Sequence, residues 1–114
     1  MTFPLKLFLE STALYSLGPR IENVDFAQLL EFRDVFKFEL NVAAVSWREY
    51  LRYREKEIRD CVERIKQCRS ELRKHDQRSD ELETAEKKVS SYLSGVQQVF
   101  AMRARNLRIT ICLW

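Results

Sequence analysis

Glycine and proline are almost missing from this chain, with two of each in 114 residues. Pro4 lies near the start, Pro19 follows Gly18, and Gly95 comes late, so nothing from Arg20 to Ser94 breaks a helix by composition. Sandwiches, barrels and α/β sheets need frequent turn residues, so a run this long without them points to helix. Histidine occurs once, as His75. No stretch approaches the roughly 20 uninterrupted apolar residues of a membrane-spanning helix. The apolar head Leu5–Leu17 is interrupted by Lys6 and Glu10. It also lacks the basic leader and small-residue cleavage site of a secretory signal. The three cysteines, Cys61, Cys68 and Cys112, are an odd number, read as reduced thiols of a cytoplasmic or nuclear protein.

Motifs that carry chemistry are missing too. There is no Gly-rich phosphate loop, nucleophile elbow or metalloprotease helix motif. Cys61, Cys68 and His75 share a helix face at seven-residue spacing. Seven residues of helix span about 10.5 Å, whereas zinc ligands sit roughly 2.0–2.3 Å from one centre. The three therefore cannot meet on one ion within one helix. No set of nucleophile, base and polarising group can be drawn. The chain is read as non-enzymatic, with no catalytic residue, cofactor, metal or small-molecule substrate.

What is abundant is charge and apolar surface at helical spacing. Charged residues make up 32% of the chain, above the roughly 25% of an average domain, which suits exposed helices and coiled coils. The net charge of +3 is unevenly spread. Residues 20–47 carry three bases and five acids, residues 48–74 ten and six, and residues 75–102 three and five. The tail adds Arg103, Arg105 and Arg108.

Along the chain, residues 1–20 form an apolar head. Leu5, Leu7 and Leu9 alternate as in a strand, while Leu14 and Leu17 are spaced as in a helix. A short helix ended by Gly18-Pro19 is the preferred reading. Asn23 or Asp25 is placed to cap the next helix, and Asp25 with Gln28 resembles a capping box. Phe26, Leu29, Leu30, Phe36, Leu40, Ala43, Ala44, Trp47, Tyr50 and Leu51 then follow at helical spacing, and Phe32, Val35, Val42 and Val45 widen that face. The arc is too broad for a solitary surface helix and demands a cover.

From Leu51 the pattern narrows to a heptad. Leu51, Ile58, Ile65 and Leu72 recur every seven residues, and Arg54, Cys61, Cys68 and His75 each follow by three, the seam of a coiled coil. The segment RKHDQRSD (Arg73–Asp80) has no apolar residue. A short helical-hairpin connection fits there. One continuous rod fits as well, because no Gly or Pro marks a turn and Leu82, Val89 and Val96 keep the register of Cys61 and Cys68. After Asn106 the tail LRITICLW alternates and is rich in β-branched residues, suiting a short strand, a docked extension or an assembly edge.

These patterns predict an all-α fold of long amphipathic helices, a helical hairpin or coiled coil that pairs with another copy. The expected layout is an apolar head over residues 1–20, a helical domain over 21–106 and an apolar tail over 107–114. The first functional expectation is an assembly or scaffold module that binds protein, either itself or another helical subunit. Its interface would use Phe32, Phe36, Leu40 and Trp47 on the broad face, with Leu51, Ile58, Ile65 and Leu72 in the seam. The second is non-sequence-specific binding of double-stranded RNA or other nucleic acid through a basic helix line. Arg52, Arg59, Lys66 and Arg73 recur every seven residues, and Arg48, Lys56 and Arg69 widen that line. Each phosphate contact would make such binding salt-dependent, and recognition by duplex shape needs little more than such positions. In architecture alone, a helical dimer of this kind resembles the double-stranded-RNA binders with which viruses suppress silencing. The third expectation is the surface of an anionic membrane, reached by a basic amphipathic helix.

Overall fold

The computed structural model describes residues 5–18, 20–21 and 24–112. Their order is β1 (Lys6–Leu9), α1 (Ser11–Ser16), α2 (Val24–Phe36), β2 (Glu39–Ala43), α3 (Ala44–Lys74), α4 (Asp80–Asn106) and β3 (Ile109–Cys112). Helix makes up 73% of the described residues, yet the fold is not all-α. The three strands form one parallel sheet in the order β1-β2-β3. Leu7 pairs with Leu40, and Leu40 with Ile109. The class is mixed α/β, and the all-α expectation is corrected on that ground.

The physical reason lies in β2. A strand inside a parallel sheet is covered on both faces and shows no in–out alternation. Leu40, Asn41 and Val42 are all buried in succession. Phe36, Leu40, Ala43 and Trp47 also fit a helical repeat, so the strand is hidden inside a pattern that reads as helix. The interruption is made without Gly or Pro. Lys37 takes a left-handed backbone with φ 54° directly after α2, which ends the helix. The head likewise divides into a strand and a short helix rather than forming helix alone, and the tail residues Ile109–Cys112 are strand.

Two compact units are present: the described parts of Met1–Arg52 with Val99–Trp114, and Tyr53–Gln98. In the first, the sheet and the adjoining helix segments enclose Leu14, Ile21, Phe26, Leu40, Val42, Trp47, Tyr50, Phe100, Ala104 and Ile109. The Tyr50 ring meets Phe100 edge-on at 5.6 Å and Trp47 at 5.5 Å, and its hydroxyl donates to the Gly18 carbonyl oxygen at 3.2 Å. Burial of one such aromatic is worth about 1.5–3 kcal/mol, the largest single contribution available to so small a core.

The second unit is an antiparallel helical hairpin, which settles the question left open at Arg73–Asp80. The turn is built from caps. Asp76 adopts φ 55°. Its N–H donates to the Arg73 carbonyl, and the Gln77 N–H reaches back to Leu72 at 2.8 Å, the paired bonds of a Schellman ending. Asp replaces the usual Gly because its short polar side chain tolerates the left-handed region. Ser79 then caps α4, its Oγ accepting from the Leu82 N–H at 3.2 Å. Asp80, Glu81 and Glu83 fill the first turn of α4 and Arg73 and Lys74 the last turn of α3, each favourable to the adjacent helix dipole. Val62 and Val96 are buried, and Gln97 Nε2 donates to Glu55 Oε1 at 3.0 Å. Arg54, a polar residue at the seam, is buried against Glu57 at 3.0 Å.

Candidate docking surface

Helix α2 explains the over-wide apolar arc. Residues three, four and seven apart share a helix face. Phe26 and Arg33, seven apart, point inward and are buried. On the outer side, Val24, Gln28, Glu31 and Val35 form one row, and Asp25, Phe32 and Phe36 form the next. The four apolar members of these rows are uncovered: Val24 is 77% exposed, Phe32 53%, Val35 71% and Phe36 71%. The Phe32 and Phe36 rings stand 6.1 Å apart, centroid to centroid, so they form one patch rather than scattered side chains. An apolar patch of adjoining residues marks an interaction site more often than isolated exposed residues do. Both charged residues on these rows, Asp25 and Glu31, are acidic. The cation of α2 is turned away. Arg33, 8% exposed, donates through Nη1 to the Leu107 carbonyl at 2.7 Å, while its Nε has no hydrogen-bond partner. Burial and the nearby Arg108 guanidinium lower its pKa, and Asp34 opposes them.

The same unit exposes Leu5, Leu7 and Phe8 on and beside the edge strand β1. It also exposes Val45 at the start of α3, where the basic residues Arg48 and Arg52 are exposed as well. Arg48 Nε bonds only its own helix, at the Ala44 carbonyl.

The residues expected to form an interface separate into three groups. Phe32 and Phe36 lie on the exposed patch. Leu40, Trp47 and Leu51 are buried in the core of the first unit. Ile58, Ile65 and Leu72 are half-buried along the hairpin's share of α3, where α4 returns antiparallel with Leu82, Val89 and Leu93 half-buried in turn. Sequence reasoning placed Val35 only as widening a buried face and passed over Val24. Val35 lies four residues from Glu31 and eleven from Val24, and those offsets are the available signal.

The basic line is partly spent on ion pairs. Arg59 pairs with Glu55 at 3.2 Å and Lys66 with Glu63 at 3.6 Å. Arg69 lies between Glu83 and Glu86 and bonds both. Arg48 and Arg52 in the first unit, and Lys56 and Arg73 in the second, are exposed with no ion pair among the described residues. The hairpin unit, residues 53–98, holds eleven basic and ten acidic side chains, so its field is nearly balanced. At its tip the Arg78 guanidinium hydrogen-bonds Glu83 at 3.2 Å and holds that carboxyl below the usual range, with partial desolvation opposing. Glu83 and Asp80 raise Arg78 in return. Cys61 and Cys112 are half-buried thiols and Cys68 is exposed.

No protein family, curated protein or solved structure matches this chain. Among the described residues, no helix is long and apolar enough to cross a membrane.

Proposed function

We propose that this chain is a non-enzymatic docking module that binds protein through the outer face of α2. One observation carries the reading: Phe32, Val35 and Phe36 form an uncovered apolar patch, with Val24 exposed at the start of the same helix, whose opposite face is already buried in the core. Core packing does not explain a Phe pair left in water, and a helix presenting apolar anchors at these spacings is a recurring mode of recognition. A photo-crosslinking side chain at position 35 of the full chain, expressed in its native cells, tests this. The expected result is capture of a discrete protein species, absent when the probe sits at position 84, on the hairpin. No protein captured at position 35 would overturn the reading.

Binding of an RNA duplex is the second reading. It is supported by Arg48, Arg52, Lys56 and Arg73, which are exposed and without an ion pair among the described residues. It is weakened by the engagement of Arg59, Lys66 and Arg69 with acids. An electrophoretic shift on a short duplex at low salt, lost steeply as salt rises, would favour it over docking.

A further inference from the structure

The rows of α2 that carry the apolar patch bear charge of one sign only, from Asp25 and Glu31. The first turns of α3, in the same unit, expose the complement. Val45 is 61% exposed, and Val45, Arg48 and Arg52, at offsets of three and seven, share one helix face. Of the acids beside them, Glu49 accepts from the Ser11 hydroxyl at 2.9 Å, and Glu55, three residues past Arg52, is paired with Arg59 at 3.2 Å. The chain thus carries both an apolar, acid-flanked helix face and a basic one beside a single exposed valine, neither of them covered.

We infer that the occupant of the α2 face is a second copy of this chain, docked through the exposed start of its α3. This rests on the reading of α2 as the contact surface and names its partner. In such a contact Val24, Phe32, Val35 and Phe36 lose their water against Val45 and the stems of Arg48 and Arg52, whose methylenes cover apolar surface while their heads stay wet. Asp25 and Glu31 then face Arg48 and Arg52. Pairs at the rim of an interface contribute more to register and partner choice than to affinity, so the aromatic patch holds the copies together and the charges set which faces meet. Like charges on the two faces would oppose association.

Charge exchange on the full chain tests the inference without identifying any other ligand. The wild type, followed by size-exclusion chromatography with light scattering from micromolar to sub-millimolar concentration, is expected to rise in mass from one copy to two or more. The pair Asp25→Lys with Glu31→Lys, and separately the pair Arg48→Glu with Arg52→Glu, should each weaken self-association about tenfold or more. All four residues are exposed, and unchanged circular dichroism confirms that each variant folds. An equimolar mixture of the two variants should recover the wild-type mass, because every contact between unlike variants again joins opposite charges. A wild type that stays monomeric overturns the inference, as does a mixture that fails to recover. In the monomeric case, crosslinking at position 35 to a different protein would leave the docking reading standing, whereas a salt-dependent shift onto an RNA duplex would transfer Arg48 and Arg52 to the second reading.

Discussion

Replacing Arg33 by Met isolates what a buried cation contributes at the joint between α4 and β3. Met keeps most of the apolar stem and removes the guanidinium. The Nη1 bond to the Leu107 carbonyl, at 2.7 Å, is short and charge-assisted, a type worth about 1.5–3 kcal/mol. The second contact, to the Arg108 carbonyl at 3.4 Å, adds little at that length. A cation beside the carbonyl end of α4 gains roughly another 0.3–1 kcal/mol from the helix dipole. Against these stand the Nε, which makes no hydrogen bond and lies 3.9 Å from Asp34 Oδ1, a buried donor costing about 1–3 kcal/mol, and repulsion from Arg108. Burial first and then Arg108 lower the pKa of Arg33, with Asp34 opposing them, so the surroundings favour the charge little. Stabilisation must come from the directed bond. The balance is a net loss of about 1 kcal/mol for Arg33→Met, or a melting point lower by roughly 4 °C in a chain of this size. Urea titration followed by circular dichroism measures it, and the loss should persist in high salt because the bond is buried. A Met variant as stable as wild type, or more stable, would refute the reasoning. It would mean that burying the ion costs more than the carbonyl bond returns, as happens in some buried ion pairs.

Other perturbations have equally definite outcomes. Asp76→Gly removes a side chain from a left-handed backbone and should stabilise the hairpin by up to about 1 kcal/mol, whereas Ser79→Ala deletes the cap of α4 and should cost about 1 kcal/mol; chemical denaturation gives both. Phe100→Ala, within the core, should lose about 3–5 kcal/mol, while Phe36→Ala, at the exposed patch, should stay within roughly 0.5 kcal/mol in the unassociated chain. Because Glu83 is held below its ordinary value of 4.5, its stabilising effect is complete above that pH and fades as pH falls through the lower folded value. Glu83→Gln should therefore flatten part of the stability loss below about pH 4.5, and an NMR titration that placed the Glu83 midpoint above 4.5 would contradict the assignment.

Helical content and the position of the seam were readable because amphipathic period is a local property. Ile58, Ile65 and Leu72 lie where their spacing put them, but the helix facing them is the returning half of the same chain. The turn itself was underread. No Gly or Pro punctuates it, while Asp76 followed by Ser79-Asp80-Glu81 carries a C-terminal left-handed residue and an N-cap with an acidic first turn. The sheet was hidden for a different reason. Parallel pairing joins strands distant in sequence, so no tight hairpin turn announces it. Leu40–Asn41–Val42, buried on both faces, lacks the alternation that identifies a strand. At the candidate surface, Phe32 and Phe36 were legible as aromatic residues needing a cover. Their separation from Leu40 and Trp47 was not, because it depends on where α2 ends, and Lys37 ends it by adopting a conformation that its residue type does not advertise.

The hairpin also has a consequence for the order of folding. Leu40 must find Ile109, 69 positions away, and loop-closure entropy makes so distant an encounter rarer than a local one. Once the capped turn at Asp76 and Ser79 has zipped α3 against α4, the freely moving chain between those strands shrinks several-fold, which lowers the closure penalty by on the order of 1–2 kcal/mol. The hairpin then works as a splint that delivers β3 to β2. Lesions at its tip should appear mainly as slower refolding, with high φ-values, and only weakly in the unfolding rate. A kinetic defect in completing the sheet would thus originate in residues that pair with none of its strands.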